Sequence, residues 1–314
     1  MSEDAAGPKE GGGAGGAKKT RSGFVALIGA PNAGKSTLLN KLTGAKISIV
    51  TPKAQTTRAR VLGILVRDEA QIVFVDTPGI FAPKRRLDRA MVAAAWDGAG
   101  EADYVLLLVD AKAGLTEAVR GIVAQATGSG RKMALVLNKI DLIDRQKLLP
   151  LTQDLAALAD FEQVFMISAN KGDGIEVLLD FCVAKLPESP FLYPEDDLTD
   201  LPDRLLAAEI VREQIFLQTR DEVPYGATVE TESFKVQGKK IRIDAVIYVS
   251  RAGHKGILIG AKGARIRDIG ARARLELAKL LDSKVDLFLR VVERAGWDEE
   301  AARIRATGLT DPKV

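Results

Sequence analysis

Residues 29–36 read GAPNAGKS, a glycine, four residues and then Gly34-Lys35-Ser36. This spacing suits the binding of phosphate. Glycines let the backbone wrap so that its N–H groups point inward at a β-phosphate. Lys35 bridges the β- and γ-phosphates, the Ser36 hydroxyl can ligate magnesium, and the N-terminus of the helix that follows adds a favourable dipole. Gly29, Asn32, Ala33, Gly34, Lys35, Ser36 and Thr37 are therefore read as nucleotide-binding.

Three further motifs complete a purine-nucleotide site. DTPG (76–79) closes a strand; Asp76 can hold magnesium through water, and the Gly79 N–H can sense the γ-phosphate. NKID (138–141) closes another. An Asp141 carboxylate accepts two N–H bonds from a guanine edge, a donor pair that adenine lacks, at about 1.5–3 kcal/mol each. Asn138 would brace the loop, Lys139 would lie along the ring, and Ala169 of the Ser168-Ala169-Asn170 turn would meet guanine O6. A mobile threonine is expected in TPKAQTTR (51–58); Thr57 is the favoured magnesium ligand and Thr56 the alternative. Asn32, Lys35, Thr57 and Gly79 are the candidate catalytic residues, and Ser36, Thr57 and Asp76 the candidate metal set.

A second glycine loop, GILIGAKGARIRDIG (256–270), has no hydroxyl after Gly263 and no D-x-x-G partner downstream. Instead ILIGAKGARI fits the KH pattern of an apolar helix, a G-x-x-G turn and a second helix, which clamps about four nucleotides of single-stranded RNA. Between 251 and 274 stand Arg251, Lys255, Lys262, Arg265, Arg267, Arg272 and Arg274 against the single acid Asp268, a salt-sensitive electrostatic footprint. Ile257, Ile259 and Ile266 are expected to pack the two helices and line a groove for bases. Lys255, Gly260, Ala261, Lys262, Gly263 and Arg265 complete the RNA-binding set.

The spellings PNAGKST and KAQTTR, with the other elements in this order, resemble the Era family of bacterial ribosome-assembly GTPases from about Gly23 to the C-terminus. The resemblance implies magnesium dependence, a switch between GTP and GDP forms, and a type II KH domain. It also implies a target at the 3′ end of 16S ribosomal RNA in the 30S subunit, and association with the inner membrane as a peripheral protein. Ile80 stands where Ras-like proteins carry a water-orienting glutamine. Isoleucine cannot hydrogen-bond water, so slow hydrolysis is expected. Relatives recruit potassium through a phosphate-loop asparagine, here Asn32, which could offset charge on the β–γ bridge. The basic run KRRLDR (84–89) is read as a solvated face rather than a source of an arginine finger.

The elements that position these residues follow from hydropathy. Continuously apolar runs at 24–29, 61–67, 71–76, 104–110, 133–139 and 164–168 alternate with helical patterns such as 115–127 and 145–159. That predicts an α/β fold, a mostly parallel sheet with helices on both faces, for a GTPase domain over 21–186. Residues 187–202 hold four prolines and an acidic cluster and read as an extended linker. Beyond it, a helix (203–219), strands (227–237, 240–249), the glycine loop, a helix (264–282) and a strand (284–292) predict an α+β domain over 203–314. Residues 1–20, glycine-rich and of mixed charge, read as a disordered tail. One cysteine and one histidine in 314 residues exclude a disulfide framework and multi-ligand zinc sites, and a net charge of +3 confines any nucleic-acid footprint to a local patch. With no long apolar segment and no signal-peptide core in the first twenty residues, a cytoplasmic protein is expected, and a monomer.

Overall fold

The computed structural model describes residues 19–310, except 129, 131 and 221; most of the stretch read as a tail lies outside the described residues. Six strands, β1 (Arg21–Gly29), β2 (Val61–Arg67), β3 (Ala70–Asp76), β4 (Tyr104–Asp110), β5 (Met133–Asn138) and β6 (Val164–Met166), form one sheet in the order β2-β3-β1-β4-β5-β6. Only the β2–β3 pair is antiparallel. β1, β4 and β5 are buried almost throughout because helices cover both faces. On one side α1 (Lys35–Thr43) and α5 (Ile175–Lys185) contribute Leu38, Leu39, Leu178 and Cys182 to the core. On the other, α2 (Arg86–Glu101), α3 (Glu117–Gly128) and α4 (Leu148–Ala156) contribute Ala95, Ile122, Val123 and Leu155. The motif loops all leave the carboxyl ends of strands, where such sheets place their ligands.

A second, three-stranded sheet is built from β7 (Ala227–Gln237), β8 (Lys240–Val249) and β9 (Lys284–Glu293). β7 and β8 form a hairpin, and β9 runs parallel to β8. Three helices, α6 (Asp203–Gln218), α7 (Ala252–Ile259) and α8 (Ala264–Leu280), accompany it. Val211, Ile215, Ile243, Ile247, Leu258, Ile269 and Leu277 make the core between these helices and the sheet. Another core joins the halves. Leu87 and Met91 of α2 meet Val246 and Tyr248 of β8, with Trp297, Leu309 and Ile304 of the short helix α9 (Ala301–Ala306).

Three differences from the sequence reading have local causes. Residues 145–159 split into a 3₁₀ turn (Arg145–Lys147) and α4, the turn being capped by the Asp144 carboxylate accepting from Gln146 N. α2 starts inside the basic run, where the pattern gave no sign of it. Residues 187–202 lie strapped along the first sheet: Leu192 and Tyr193 N–H donate to Gln71 Oε1 at 2.7 and 3.0 Å, and Ile64 N–H donates to the Leu198 carbonyl at 2.9 Å.

Candidate nucleotide site and nucleic-acid interface

The phosphate loop bounds a cleft of about 360 Å³ lined by Asn32, Lys35, Thr37, Thr57, Gly79 and Lys139, among others. Gly34 adopts φ +95°, and α1 begins behind it with no side-chain cap, leaving its first N–H groups for an anion. Asn32, at φ +63°, stands exposed at the rim, and Ala33 is buried. Lys35 is buried and donates to the carbonyls of Gly29 and Ala30 at 3.0 and 3.1 Å. Burial pushes its ammonium down to about 8, with Asp76 opposing the shift. Gly79 packs directly on this loop: a Cβ there would lie 2.7 Å from Pro31 Cα. Ile80 N–H donates to the Gly29 carbonyl at 3.1 Å, and the Ile80 side chain is buried in the core.

The metal set converges. Ser36 Oγ donates to Asp76 Oδ2 at 2.7 Å and lies 2.7 Å from Thr57 Oγ1, which is 3.3 Å from the same carboxylate oxygen. Ser48, which the sequence reading missed, adds a third hydroxyl at 2.9 Å. Asp76 is fully buried; burial pushes its carboxyl up, while Lys35 and these hydroxyls pull it back. Its Oδ1 is buried with no partner. Two hydroxyls and an orphaned carboxylate oxygen are the donors a hard cation such as magnesium takes. Thr56, by contrast, turns its hydroxyl to the Lys53 carbonyl and Thr51 Oγ1.

At the base end Asn138 ties three loops together. Its Nδ2 donates to the Ala33 carbonyl at 2.9 Å, and its Oδ1 accepts from Lys139 N and Ala169 N at 2.8 and 3.0 Å. Asp141 Oδ1 accepts from Ser168 Oγ at 2.8 Å, while Asn170 lies exposed beside them. Asp110, also missed, pairs with Lys139 Nζ at 2.6 Å and lines the cleft. Its signal was available: it closes β4 in register with Asn138.

The second glycine loop joins α7 to α8 through a tight turn in which Gly260, Lys262 and Gly263 all have positive φ, +70°, +50° and +77°. A Cβ on Gly260 would press on Arg265 Cβ at 2.9 Å; one on Gly263 would meet only Ile266 Cγ2 at 4.0 Å. Ala261, Lys262, Arg265, Arg267, Arg272 and Arg274 are exposed, and Lys255 is half-buried. Leu258 and Ile269, both fully buried, carry the core under the two helices, and of the three isoleucines the sequence suggested only Ile266 packs against it. Ile257 is exposed and Ile259 half-buried beside the loop, while Ile266 partly joins the core.

In the basic run at 84–89, Lys84 and Arg89 are exposed, as a solvated face requires, but Arg85 and Arg86 form a clasp to the second half. Arg85 pairs with Asp88 and with Asp298 at 3.2 Å and donates to the Tyr225 carbonyl, and Arg86 N–H donates to Glu299. Residues 44–60 are likewise bonded to the second half. Lys46 pairs with Glu213 and Glu276, Val50 N–H donates to Glu213 Oε1 at 2.9 Å, and Ile49 is buried in the second core. Trp297 is fully buried and donates to the Gly226 carbonyl at 3.1 Å. Among the described residues, no helix is long and apolar enough to cross a membrane.

A phosphate loop on a sheet of this order, joined to a three-stranded sheet carrying a G-x-x-G turn, defines a P-loop GTPase with an RNA-binding KH domain. Residues 24–139 match a family model described as 50S ribosome-binding GTPase, and residues 222–296 match the KH domain. The chain is 52% identical to GTPase Era of Dinoroseobacter shibae over 93% of this chain and 96% of that one. It is 51% identical to GTPase Era of Mesorhizobium japonicum over 93% and 95%. A crystal structure of Era with MgGDPNP and nucleotides 1506–1542 of 16S ribosomal RNA superposes with a TM-score of 0.89, at 41% identity over 92% of this chain and 99% of that one. A variant of Aquifex aeolicus Era bound to GDP·AlF4⁻ gives 0.88 at 40% identity with the same coverage. The chain belongs to the Era family of GTPases.

Proposed function

We propose that this GTPase serves assembly of the small ribosomal subunit, gripping the 3′ end of 16S ribosomal RNA with a KH domain over 203–314 and reporting its nucleotide state through a GTPase domain over 21–186. The support is the coexistence in one chain of a convergent GTP site and a basic G-x-x-G turn, with both loops that face the nucleotide bonded to the second half. A relative of the same fold holds that RNA segment together with a magnesium-bound GTP analogue.

Ser36, Thr57 and Asp76 would hold magnesium, which when bound neutralises charge on the β- and γ-phosphates. Lys35 leaves the Gly29 and Ala30 carbonyls for phosphate oxygens, and the Gly79 N–H reports the γ-phosphate. Asp141, with Ser168 behind it, accepts from the guanine edge. Lys139, held by Asp110, covers the ring, and the Ala169 N–H meets guanine O6. With Ile80 turned into the core, water is oriented without a glutamine and hydrolysis is slow. Asn32, exposed beside the cleft, supplies a potassium ligand, so potassium should accelerate hydrolysis over sodium. Lys255, Ile257, Ile259, Gly260, Ala261, Lys262, Gly263, Arg265 and Ile266 line the RNA grip. The protein acts as a cytoplasmic monomer, and any membrane contact is peripheral.

Crosslinking in cells with Gly263→Asp beside wild type tests the RNA assignment. Recovery of 16S 3′-end fragments with wild type, and their loss with the variant, is expected; equal recovery, or recovery of a different RNA, would overturn it.

A further inference from the structure

Arg212 belongs to α6 of the KH half, yet its guanidinium reaches the loop that carries Thr57. Its side chain is 1% exposed. Nη2 donates to the Thr56 carbonyl and to Glu209, the guanidinium carbon lies 5.4 Å from the Phe216 ring centre, and Nη1 is buried with no partner. A buried guanidinium with an unfilled donor is costly to keep. Joining the two halves does not require it, since the core of Leu87, Met91, Tyr248, Trp297 and Ile304 already does so. What Arg212 holds is the backbone one residue before the threonine. One residue after it, Arg58 Nη2 donates to the Ala227 carbonyl at 2.9 Å, and Lys53 donates to the Phe216 and Thr219 carbonyls at the end of α6. The loop is thus pinned to the second half on both sides of Thr57.

We infer that Arg212 is a positioning residue for Thr57: by fixing the Thr56 carbonyl it presets the threonine beside Ser36 and Asp76, lowering the cost of closing this loop around magnesium and GTP. The inference rests on the reading of Thr57 as a magnesium ligand. GDP, with no γ-phosphate for the loop to close on, should be indifferent to it. A residue that merely stabilised the fold would weaken both nucleotides alike.

The test is magnesium titration of single-turnover GTP hydrolysis, with GDP affinity measured in parallel, on full-length protein. Loss of one charge-assisted hydrogen bond in Arg212→Met should raise half-saturating magnesium about tenfold while GDP affinity stays within about twofold, and Arg212→Lys should recover part of the loss. In a Thr57→Ala background, Arg212→Met should add nothing further. Equal loss of GDP and GTP binding, or additive effects in the double variant, would overturn the inference. If Thr57→Ala itself leaves the magnesium dependence unchanged, the ligand reading fails and the inference with it; if Thr57→Ala shifts it and Arg212→Met does not, only the inference fails. Should Arg212→Met not fold, Glu209→Gln loosens the same guanidinium; a shift of about threefold supports the role and none refutes it.

Discussion

Gly79, proposed above to sense the γ-phosphate, packs on the phosphate loop, and a single methyl group there measures how much that contact matters. In Gly79→Ala the new Cβ would lie 2.7 Å from Pro31 Cα and 2.8 Å from Pro31 N. Ordinary contact begins near 3.4 Å, so the two loops must part by about 3.4 − 2.7 = 0.7 Å, and the neighbour is backbone that cannot rotate away. Such overpacking costs about 1–3 kcal/mol, and a displacement approaching 1 Å at reacting groups costs up to about 10²-fold in rate. Single-turnover hydrolysis at saturating GTP should therefore slow roughly 30- to 100-fold. Affinity for a non-hydrolysable GTP analogue should fall more than affinity for GDP, since only the former uses the Gly79 N–H. Gly121→Ala is the control: it lies in α3 with nothing within 4 Å of the added Cβ, and should leave the rate unchanged while raising Tm slightly. A Gly79→Ala enzyme that hydrolyses GTP within threefold of wild type, or that loses GDP and GTP affinity equally, would refute this account of the contact.

Other outcomes follow from the same geometry. Asp141→Asn should lose GTP preference by at least about tenfold and gain xanthosine triphosphate; unchanged GTP selectivity in a competition assay would remove Asp141 from the base site. Gly260→Ala should lower Tm more than Gly263→Ala, because both pay for positive φ but only the former drives a Cβ into Arg265; equal melting shifts would contradict it. Burial pushes the Cys182 thiol from 9.0 up to about 12. Its folded pKa is raised, so the stability it contributes is present below about pH 9 and lost as pH rises toward 12. Iodoacetamide at pH 8 should label Cys182 only on unfolding, and rapid native labelling would show the pocket to be open. Replacing potassium with sodium should slow hydrolysis and leave GDP affinity alone; equal rates would discard the cation role of Asn32.

Residues that act through their own backbone neighbourhood were legible in the sequence. GAPNAGKS, DTPG and NKID each lie within a few residues of a strand end, so spacing alone marked loops that the fold then brings together. Residues that act across the chain were not. Arg85 and Arg86 read as solvated because the acids they clasp, Asp298 and Glu299, stand more than two hundred positions away. Ser48 and Arg212 give no local signal, since their partners Asp76 and Thr56 are brought to them only by folding. Ile257 was misjudged as a packing residue for a different reason. Apolar character alone could not say which face of a short helix turns inward, and α7 buries Leu258 while leaving Ile257 out.

The two loops that face the nucleotide are joined to the KH half by unlike bonds, and this decides how the halves can move. Apart from buried Ile49, residues 44–60 are held by ion pairs and hydrogen bonds to charged groups, polar bonds that water can replace at about 1.5–3 kcal/mol each. α2, which begins seven residues after Gly79, is held instead by Leu87 and Met91 in the apolar core with Tyr248, Trp297 and Ile304. Pulling that core apart would expose it at about 25 cal/mol for every Å². A rotation of the KH half should therefore carry α2 with it, and tug on the loop that ends at Gly79, while the bonds to 44–60 reshuffle. If so, RNA that displaces the KH half is felt at the γ-phosphate through α2. By reciprocity GTP alters RNA affinity by the same factor, in the range of about 1–3 kcal/mol usual for coupled sites.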